Sequence, residues 1–307
     1  MPLLSENESG QILELINHIQ PDIPWSMEHL RWQYFKPPAG SARLYGIKGP
    51  QSKLIAFYAA VAQMVRIGSR MVVGRMVQDV MTHPDHRGRG LLHQLAEECF
   101  RDISESGEVG YTFPNEESEK SFRRTGWTEL CSVPWRKKSL SPKPSFRDAA
   151  ADVCEVKGLF DDAVSAIWVA SGLAVGVDRN AAYLNWRYSK PLTAYSKFLV
   201  NDSEGLIILK LYRNILHICD LITRGDKLNN IPAMLNFCEN FGARCGVNAI
   251  TAWLPDGHPG SDAFSQHGFD LQTGVTRYVF VHPGKNTSQE LTNPRLWHLT
   301  QGDSDIY

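Results

Sequence analysis

The chain has 307 residues, enough for one large domain or two of ordinary size. Hydrophobic residues make up 43 % and charged residues 21 %, a composition that can bury a core and is not typical of a disordered protein. Lysine and arginine total 32 against 33 aspartates and glutamates, so the net charge of −1 argues against nucleic acid or an anionic membrane as the main partner.

The first residues show neither a basic segment nor an apolar segment of the kind found in signal peptides. The longest apolar stretch, 54–65, contains Gln63 and is shorter than the ~18 residues that a membrane helix needs. The six cysteines form no CxxC pair, and the ten histidines lack the spacing of metal ligands. We therefore expect a cytoplasmic protein without disulfides, and we assign no metal.

The first half of the chain alternates helical and strand patterns. Isoleucines and leucines at helical spacing predict a helix over 10–19, and a second amphipathic helix is predicted over 91–104. Between and after them, strands are predicted over 43–47, 54–65, 71–82, 110–113 and 128–135. The second half begins with a similar helical pattern over 160–170. The sequence therefore predicts a mixed α/β (α+β) fold.

The two halves resemble each other. Asp220 lies 141 residues after Asp79, and Gly268 lies 142 residues after Gly126. Four segments recur in the same order, which indicates a tandem duplication: 30–37 (LRWQYFKP) with 184–191 (LNWRYSKP), 54–57 (LIAF) with 206–209 (LIIL), 78–82 (QDVMT) with 219–223 (CDLIT), and 122–127 (FRRTGW) with 264–269 (FSQHGF).

The duplication predicts domains at 1–140 and 149–283 and a tail at 284–307. The segment 136–148 (RKKSLSPKPSFRD) is basic and contains serine and proline, as linkers often do. The tail lacks periodicity, so we expect it to run over the surface with Trp297 and Leu299 holding it. Asp303 and Asp305 are then expected to be solvated rather than metal ligands.

A loop with two glycines and two arginines follows the strand that ends at Thr82. Its sequence is Arg87-Gly88-Arg89-Gly90, and it opens the helix that begins at Leu91. The first turn of a helix has unpaired amide groups and a positive potential. Glycines allow a close approach to the backbone, and arginines add charged hydrogen bonds. This pattern predicts a pyrophosphate site, although it is neither a Walker A motif nor a dinucleotide fingerprint.

This loop resembles the acetyl-CoA loop of the GNAT acetyltransferase superfamily, Arg/Gln-x-x-Gly-x-Gly/Ala. Leu92 stands where the family usually has glycine or alanine, whereas Pro114-Asn115 and Gly126-Trp127 resemble later family positions. The resemblance extends over the whole chain as two GNAT-like copies. It implies that each copy is a mixed, mostly antiparallel sheet flanked by helices, and that the copies pack as an intramolecular pseudo-dimer.

The resemblance also implies roles for the loop and its neighbours. The backbone of Val80, Met81 and Thr82 would pair with the pantetheine arm of acetyl-CoA. The amides of Arg87, Gly88, Arg89, Gly90, Leu91 and Leu92 would hold its pyrophosphate, and Asn115 would contact it near the thioester. An acetyl group would pass to a primary amine of a small molecule. Similar tandem proteins are linked to polysaccharide or amino-sugar pathways, so a sugar amine is the leading acceptor.

Asp79 is the predicted catalytic base, since a carboxylate in apolar surroundings holds a proton more readily. Asp220 occupies the same place in the second copy, so a buried structural role for Asp79 is the alternative. Phe122 stands where many family members have the tyrosine that protonates the leaving thiolate. Three possible donors lie nearby in the sequence: Tyr111, and His83 and His86, both expected to be solvated.

Other interpretations remain open. Four recurring aromatic residues (Trp32, Tyr34, Trp186 and Tyr188) could stack on a ligand, but their presence in both halves favours packing. The missing tyrosine is also compatible with a non-catalytic acyl-CoA-binding module. A tRNA-dependent aminoacyl transferase is a further alternative, which the intact loop and the near-neutral charge disfavour.

The duplication predicts a single cofactor site per chain, in the first half. The second copy has 223–230 (TRGDKLNN) in place of the loop, with one glycine and an aspartate that would repel phosphate. Calorimetric titration of the chain with CoA should therefore give a stoichiometry of one. Two equivalent sites would contradict the assignment.

Overall fold

The computed structural model describes residues 3–140, 152–273, 277–285 and 289–307. The first elements in chain order are α1 (Ser9–Ile19), α2 (Met27–Phe35), β1 (Arg43–Lys48), β2 (Leu54–Ile67), β3 (Arg70–Thr82), α3 (Leu91–Glu105), β4 (Val109–Thr112), α4 (Glu116–Arg124) and β5 (Thr128–Ser132). Of these, α2 and α4 were not predicted, and the others lie close to the predicted ranges. The predicted strand 128–135 is thus cut short, because a second strand begins at Trp135.

The remaining elements form a similar series: β6 (Trp135–Ser139), β7 (Val153–Glu155), α5 (Ala163–Ala170), β8 (Val175–Val177), α6 (Ala181–Arg187), β9 (Ser196–Val200), β10 (Gly205–Tyr212), β11 (Ile215–Thr223), α7 (Ile231–Arg244), β12 (Ala249–Trp253), α8 (Ser261–Gln266), β13 (Asp270–Leu271) and β14 (Tyr278–His282). No helix in the described ranges is both long and apolar enough to cross a membrane.

Two compact units divide the chain: Met1–Ser132 with Thr276–Thr292, and Val133–Val275 with Asn293–Tyr307. In the first unit the strand order is β1-β2-β3-β4-β14-β5, and in the second it is β13-β6-β12-β11-β10-β9-β7. The pairs β3–β4 and β11–β12 are parallel, whereas the strand pairs around them within each unit are antiparallel. The predicted fold of two mixed, mostly antiparallel sheets flanked by helices is confirmed.

The unit boundaries differ from the predicted ones because one strand of each half of the sequence lies in the other unit. β6 pairs with β12 from Trp135↔Trp253 to Ser139↔Ala249, so it belongs to the second unit. β14 pairs with β4 and β5 and belongs to the first. The predicted linker 136–148 therefore begins as a strand, in which the Arg136 side chain is 2 % exposed. Its later part, 141–148, lies outside the described residues.

Each unit has a core between its sheet and a helix. In the first unit, α3 contributes Leu95, Ala96, Cys99 and Ile103, which lie on one face as predicted and are fully or almost fully buried. Burial raises the pKa of the Cys99 thiol to about 12, so this cysteine is a neutral apolar side chain. In the second unit, α7 packs Met234, Leu235 and Cys238 against β10–β12 in the same manner.

A buried ion-pair network stabilises the first unit near the start of β4. Glu108 accepts two hydrogen bonds from the guanidinium of Arg75, at 2.8 and 2.9 Å, and a third from Arg43 at 3.1 Å. The Glu108 and Arg75 side chains are each 10 % exposed. Such a fork-shaped pair joins β1, β3 and the residue before β4 with well-directed, charge-assisted hydrogen bonds.

Replacing Glu108 with alanine should lower the free energy of unfolding by about 3–5 kcal/mol, because Arg75 would remain buried without its counter-ion. Denaturant unfolding measures this loss. The control is Glu6→Ala, which removes a pair with Arg31 in which both side chains are about half exposed; it should cost less than about 1 kcal/mol. Equal effects of the two variants would contradict this account of the network.

Candidate active site

A β-bulge in β3 shapes the candidate site. Gln78 pairs with Ala59 and Met81 pairs with Phe57, so Asp79 and Val80 together face the single residue Tyr58. Asp79 has φ of +52°, in the left-handed region that aspartate tolerates better than most residues. A bulge of this kind bends its strand and re-aims the side chains on it. Asp79 and Val80 are both half-buried.

The bulge coincides with the end of the pairing between β3 and β4. The last parallel pair is Val77↔Thr112, where the Thr112 hydroxyl also donates to the Val77 carbonyl at 2.8 Å. β3 continues to Thr82, whereas β4 ends at Thr112. The main chain of 80–82 therefore extends beyond its strand partner on this side, and an extended ligand with amide groups could pair with it.

The loop after β3 leads directly to the start of α3. A 3₁₀ turn spans Pro84–His86, and Gly88 and Gly90 then adopt φ of +76° and +72°. Gly90 is the N-cap residue, and no side chain caps this helix. A Cβ atom on either glycine would have nothing within 4 Å, so the space in front of the first turn is open. The helix thus presents uncapped amides and its positive end to this space.

The charged residues of the loop are exposed. Arg87 Nε donates to the Thr82 carbonyl at 3.4 Å, and an Arg89 amino group donates to the Asp85 carbonyl at 3.3 Å. These long hydrogen bonds hold the guanidinium groups only weakly beside the loop. Leu91 and Leu92 are half-buried in the first helical turn. The predicted pyrophosphate residues therefore lie together, with two exposed cations next to open amides.

The Asp79 carboxylate accepts hydrogen bonds from two uncharged groups. Its Oδ2 atom accepts hydrogen bonds from the Tyr34 hydroxyl at 2.8 Å and from the Gln78 amide at 2.9 Å. Tyr34 itself is fully buried, so the packing role that its recurrence predicted is present, together with a polar contact that was not predicted. The signal for that contact was in the sequence: the tyrosine and the aspartate recur together in both halves.

Asn115 is exposed and caps α4. Its side-chain oxygen accepts hydrogen bonds from the Ser118 amide and hydroxyl, each at 2.9 Å. A contact between Asn115 and a cofactor remains a prediction. Phe122 is 3 % exposed and packs edge-on against Trp127, with ring centroids 5.4 Å apart. The position of the missing tyrosine thus lies in the core of the first unit.

The other possible proton donors lie in different surroundings. Tyr111 is 1 % exposed and its hydroxyl donates to Gln63, so it belongs to the interior of the sheet. His83 and His86 are half-buried rather than solvated, and both line a cavity of about 430 Å³ beside α1. There the His83 ring stacks on His18 with centroids 4.6 Å apart. No group of side chains in the described ranges forms a metal site.

The second unit has a bulge one residue earlier than the matching position, in a different environment. Ile208 pairs with Asp220 and Leu209 with Ile218, so Cys219 is the extra residue, and Tyr188 donates to Asp220 at 2.6 Å. Asp220 is fully buried, with Arg179 and His298 each 3.5 Å away. Burial alone would raise the pKa of this carboxyl, but the Arg179 charge and the His298 hydrogen bond outweigh it and hold the pKa well below its usual range.

The tail fills the space against this second bulge, contrary to the expected surface course. Asp303 is 2 % exposed and pairs with Arg179 at 2.8 Å, and Arg187 donates to the carbonyls of Gly302 and Ser304. A Cβ atom on Gly302 would lie 2.2 Å from the Tyr188 hydroxyl, so only glycine fits. The anchoring residues Trp297 and Leu299 are buried as predicted.

The second unit also lacks an open loop. Residues Gly225–Asn230 form a 3₁₀ segment before α7, and a Cβ atom on Gly225 would lie 2.9 Å from the Ser171 carbonyl. Gly88 and Gly90 have free space at the matching place of the first unit. The described residues thus offer an open strand edge followed by an open helix start in the first unit, and a covered edge in the second.

Comparison with known proteins agrees with this difference between the units. Residues 4–129 match a family model for the acetyltransferase (GNAT) domain. The match lies within the first unit, which is therefore similar to the acetyltransferase domains of this superfamily, whose acyl donor is acetyl-CoA. No curated protein matches the chain.

Three solved structures share the fold over about nine-tenths of the chain. A conserved protein of unknown function from Enterococcus faecalis V583, a probable N-acyltransferase, has a TM-score of 0.67 at 13 % identity, covering 91 % of this chain and 71 % of that one. A GCN5-related N-acetyltransferase from Anabaena variabilis ATCC 29413 has a TM-score of 0.66 at 14 % identity, covering 90 % and 70 %. A GCN5-related N-acetyltransferase from Kribbella flavida has a TM-score of 0.63 at 13 % identity, covering 91 % and 69 %.

The second unit should be sensitive to acid through its buried histidines. Burial lowers the pKa of His217 to about 4, and it also lowers those of His258 and His298. Between about pH 6.5 and 4 the unfolded chain binds protons that the folded chain does not, so the free energy of unfolding falls as the pH falls.

We expect His217→Gln to reduce the slope of this pH dependence by up to about 1.4 kcal/mol per pH unit, because glutamine does not titrate. Denaturant unfolding at several pH values between 4 and 7 measures the slope. His93→Gln, an exposed change on α3, is the control and should keep the wild-type slope. A wild-type slope in the His217 variant would overturn the assignment.

Proposed function

We propose that the chain transfers an acetyl or short acyl group from acetyl-CoA to a primary amine of a small molecule, with the reaction in the first unit. One observation carries this proposal: the strand edge at 80–82, freed by the bulge, leads within a few residues to the open amides of α3. An elongated ligand with amide groups at one end and a pyrophosphate at the other matches this sequence of features.

The residues of the loop fit the donor. In our proposal the main chain of Val80, Met81 and Thr82 pairs with the pantetheine arm. The amides from Arg87 to Leu92 hold the pyrophosphate, and the exposed guanidinium groups of Arg87 and Arg89 turn towards it. The absence of any atom within 4 Å of a Cβ on Gly88 or Gly90 supports such a close approach. Bound acetyl-CoA supplies an activated acyl group.

Asp79 is the proposed general base. An amine must lose a proton to become a nucleophile, and a half-buried carboxylate at the bulge is well placed to accept it. A backbone amide near Val80 would polarise the carbonyl of the acyl group as negative charge develops on it. Because Phe122 lies in the core, the leaving sulfur takes its proton from solvent or from another group.

The acceptor is proposed to be an amine on a ring, with an amino sugar as the leading candidate. The half-buried ring of Trp25 lies 5.7 Å from that of Tyr34, which in turn contacts Asp79. An indole near a carboxylate suits a cationic amine or the apolar face of a sugar. The sequence resemblance to tandem proteins of amino-sugar pathways implies the same acceptor class.

A non-catalytic acyl-CoA-binding module is the second candidate, and the phenylalanine at position 122 favours it. Both functions need the same donor site. They differ in the release of free thiol from acetyl-CoA, which only a transferase produces when an amine is added. A panel of amino sugars, polyamines and amino acids therefore separates the two, since thiol release with any of these amines excludes the binding module.

The donor site is tested by Gly90→Leu. A side chain at this position would enter the space in front of the first turn, so we expect CoA affinity to fall at least tenfold by calorimetry. The matched control is Gly107→Leu at the other end of the same helix. Gly107 also has a positive φ, +68°, and free space around it.

Both leucine variants should lose about 1–2 kcal/mol of stability from the left-handed backbone, but only Gly90→Leu should lose CoA. The loop assignment would be wrong if CoA affinity were the same in both variants. Thermal unfolding of each variant verifies that the chain is folded under the conditions of the titration.

A further inference from the structure

A tyrosine holds the aspartate at the bulge in both units. Tyr34 lies in the last turn of α2 and donates to Asp79 at 2.8 Å. Tyr188 lies at the end of α6 and donates to Asp220 at 2.6 Å. The two pairs occupy matching places in a duplicated sequence, so the contact is a feature of the repeat rather than an accident of one unit.

The environments of the two pairs differ in the way that a catalytic role requires. Asp220 is fully buried, faces the charge of Arg179 and is covered by the tail. Asp79 is half-buried, and its Oδ2 atom accepts hydrogen bonds from the uncharged groups of Tyr34 and Gln78. Two donors on one carboxylate oxygen, on a residue with left-handed backbone, fix the direction of the carboxylate.

The ring and the hydroxyl of Tyr34 have separable roles. The ring packs edge-on against Phe57 and tilted against Trp25, with centroids 5.7 Å away in each case. Phenylalanine would keep these contacts and remove only the hydrogen bond to Asp79. A substitution at this one atom therefore separates positioning from packing.

We propose that Tyr34 is a positioning residue for acyl transfer: its hydroxyl holds the Asp79 carboxylate at the β3 bulge in the orientation that takes the proton of the amine. This inference rests on the proposed function. In the reaction the amine nitrogen forms a bond to the acyl carbon and the carbon–sulfur bond breaks. The proton on nitrogen goes to Asp79, and the leaving thiolate takes a proton from solvent.

The hydroxyl also favours the ionised carboxylate, because it donates to the charged form. Removing the hydroxyl makes Asp79 easier to protonate. As the pH is lowered, activity should therefore be lost at a higher pH than in the wild-type protein. The other titratable or charged groups on the elements packed here are Glu28, His29 and Arg31 on α2, Tyr58 and Arg66 on β2, and Arg70 and Arg75 on β3. His29 stacks on Trp25, and Tyr58 faces the bulge. None of them is changed in the variants used below.

The experiment compares Tyr34→Phe, Tyr188→Phe and Asp79→Asn in the full chain. Thiol release is measured against pH from 5.5 to 9 with the best amine of the panel, and CoA binding by calorimetry. For Tyr34→Phe we expect kcat to fall about tenfold, KM for acetyl-CoA to stay within twofold, and the acidic limb of kcat/KM to move up by about 0.5–1 pH unit. Tyr188→Phe should lower the melting temperature and leave the acidic limb of kcat/KM at its wild-type pH.

Each outcome decides between the two proposals. A wild-type kcat and acidic limb in Tyr34→Phe would reduce Tyr34 to a packing residue, while loss of activity in Asp79→Asn would still support the base. Wild-type activity in Asp79→Asn would overturn the base and the positioning role together, while unchanged CoA binding would leave the donor site standing. Gln78→Met, which removes the second donor on Oδ2, should move the limb in the same direction by a smaller amount.

Discussion

The interruption of strand pairing at the β3 bulge is the constraint on which the rest of the first unit depends. A strand with a neighbour on each edge has its main chain paired on both sides, but the pairing of β3 with β4 stops at Val77↔Thr112 while β3 continues. The left-handed backbone of Asp79 makes this possible, and it puts a carboxylate at the point where the strands part. The open edge, the glycine loop and the start of α3 then follow in order along one stretch of chain.

The second unit shows what the same framework becomes without that opening. Its bulge carries the matching aspartate, but Arg179 and the tail fill the space in front of it. Arg179 is 1 % exposed and lies against two carboxylates, so the loss of Asp303 would leave a buried cation with one fewer counter-ion. The buried ion pair between Arg179 and Asp303 thus holds the tail in place. It stabilises the second unit at the position where the first unit leaves space for a ligand.

Local patterns predicted most of this fold, and contacts between distant residues account for what they missed. The helices, the long hairpin of β2 and β3 and the glycine loop are encoded by periodicity and by residue types within short windows. The burial of Asp303 depends on Arg179, 124 positions earlier, and an acidic tail gives no sign of it. The contact of Tyr34 with Asp79 also joins distant residues, although its recurrence in the duplication marked both as a pair.

Local sequence patterns could not predict that β6 belongs to the second unit and β14 to the first. Both strands have an ordinary strand composition, which does not distinguish between two similar sheets. The basic segment after β6 suggested a boundary, yet the strand before it already pairs with β12, more than 100 residues later. A division at that segment would leave the first half without β14 and would expose β4 and β5 as unpaired edges. The first unit, with its open strand edge and helix start, therefore contains residues from both halves of the sequence.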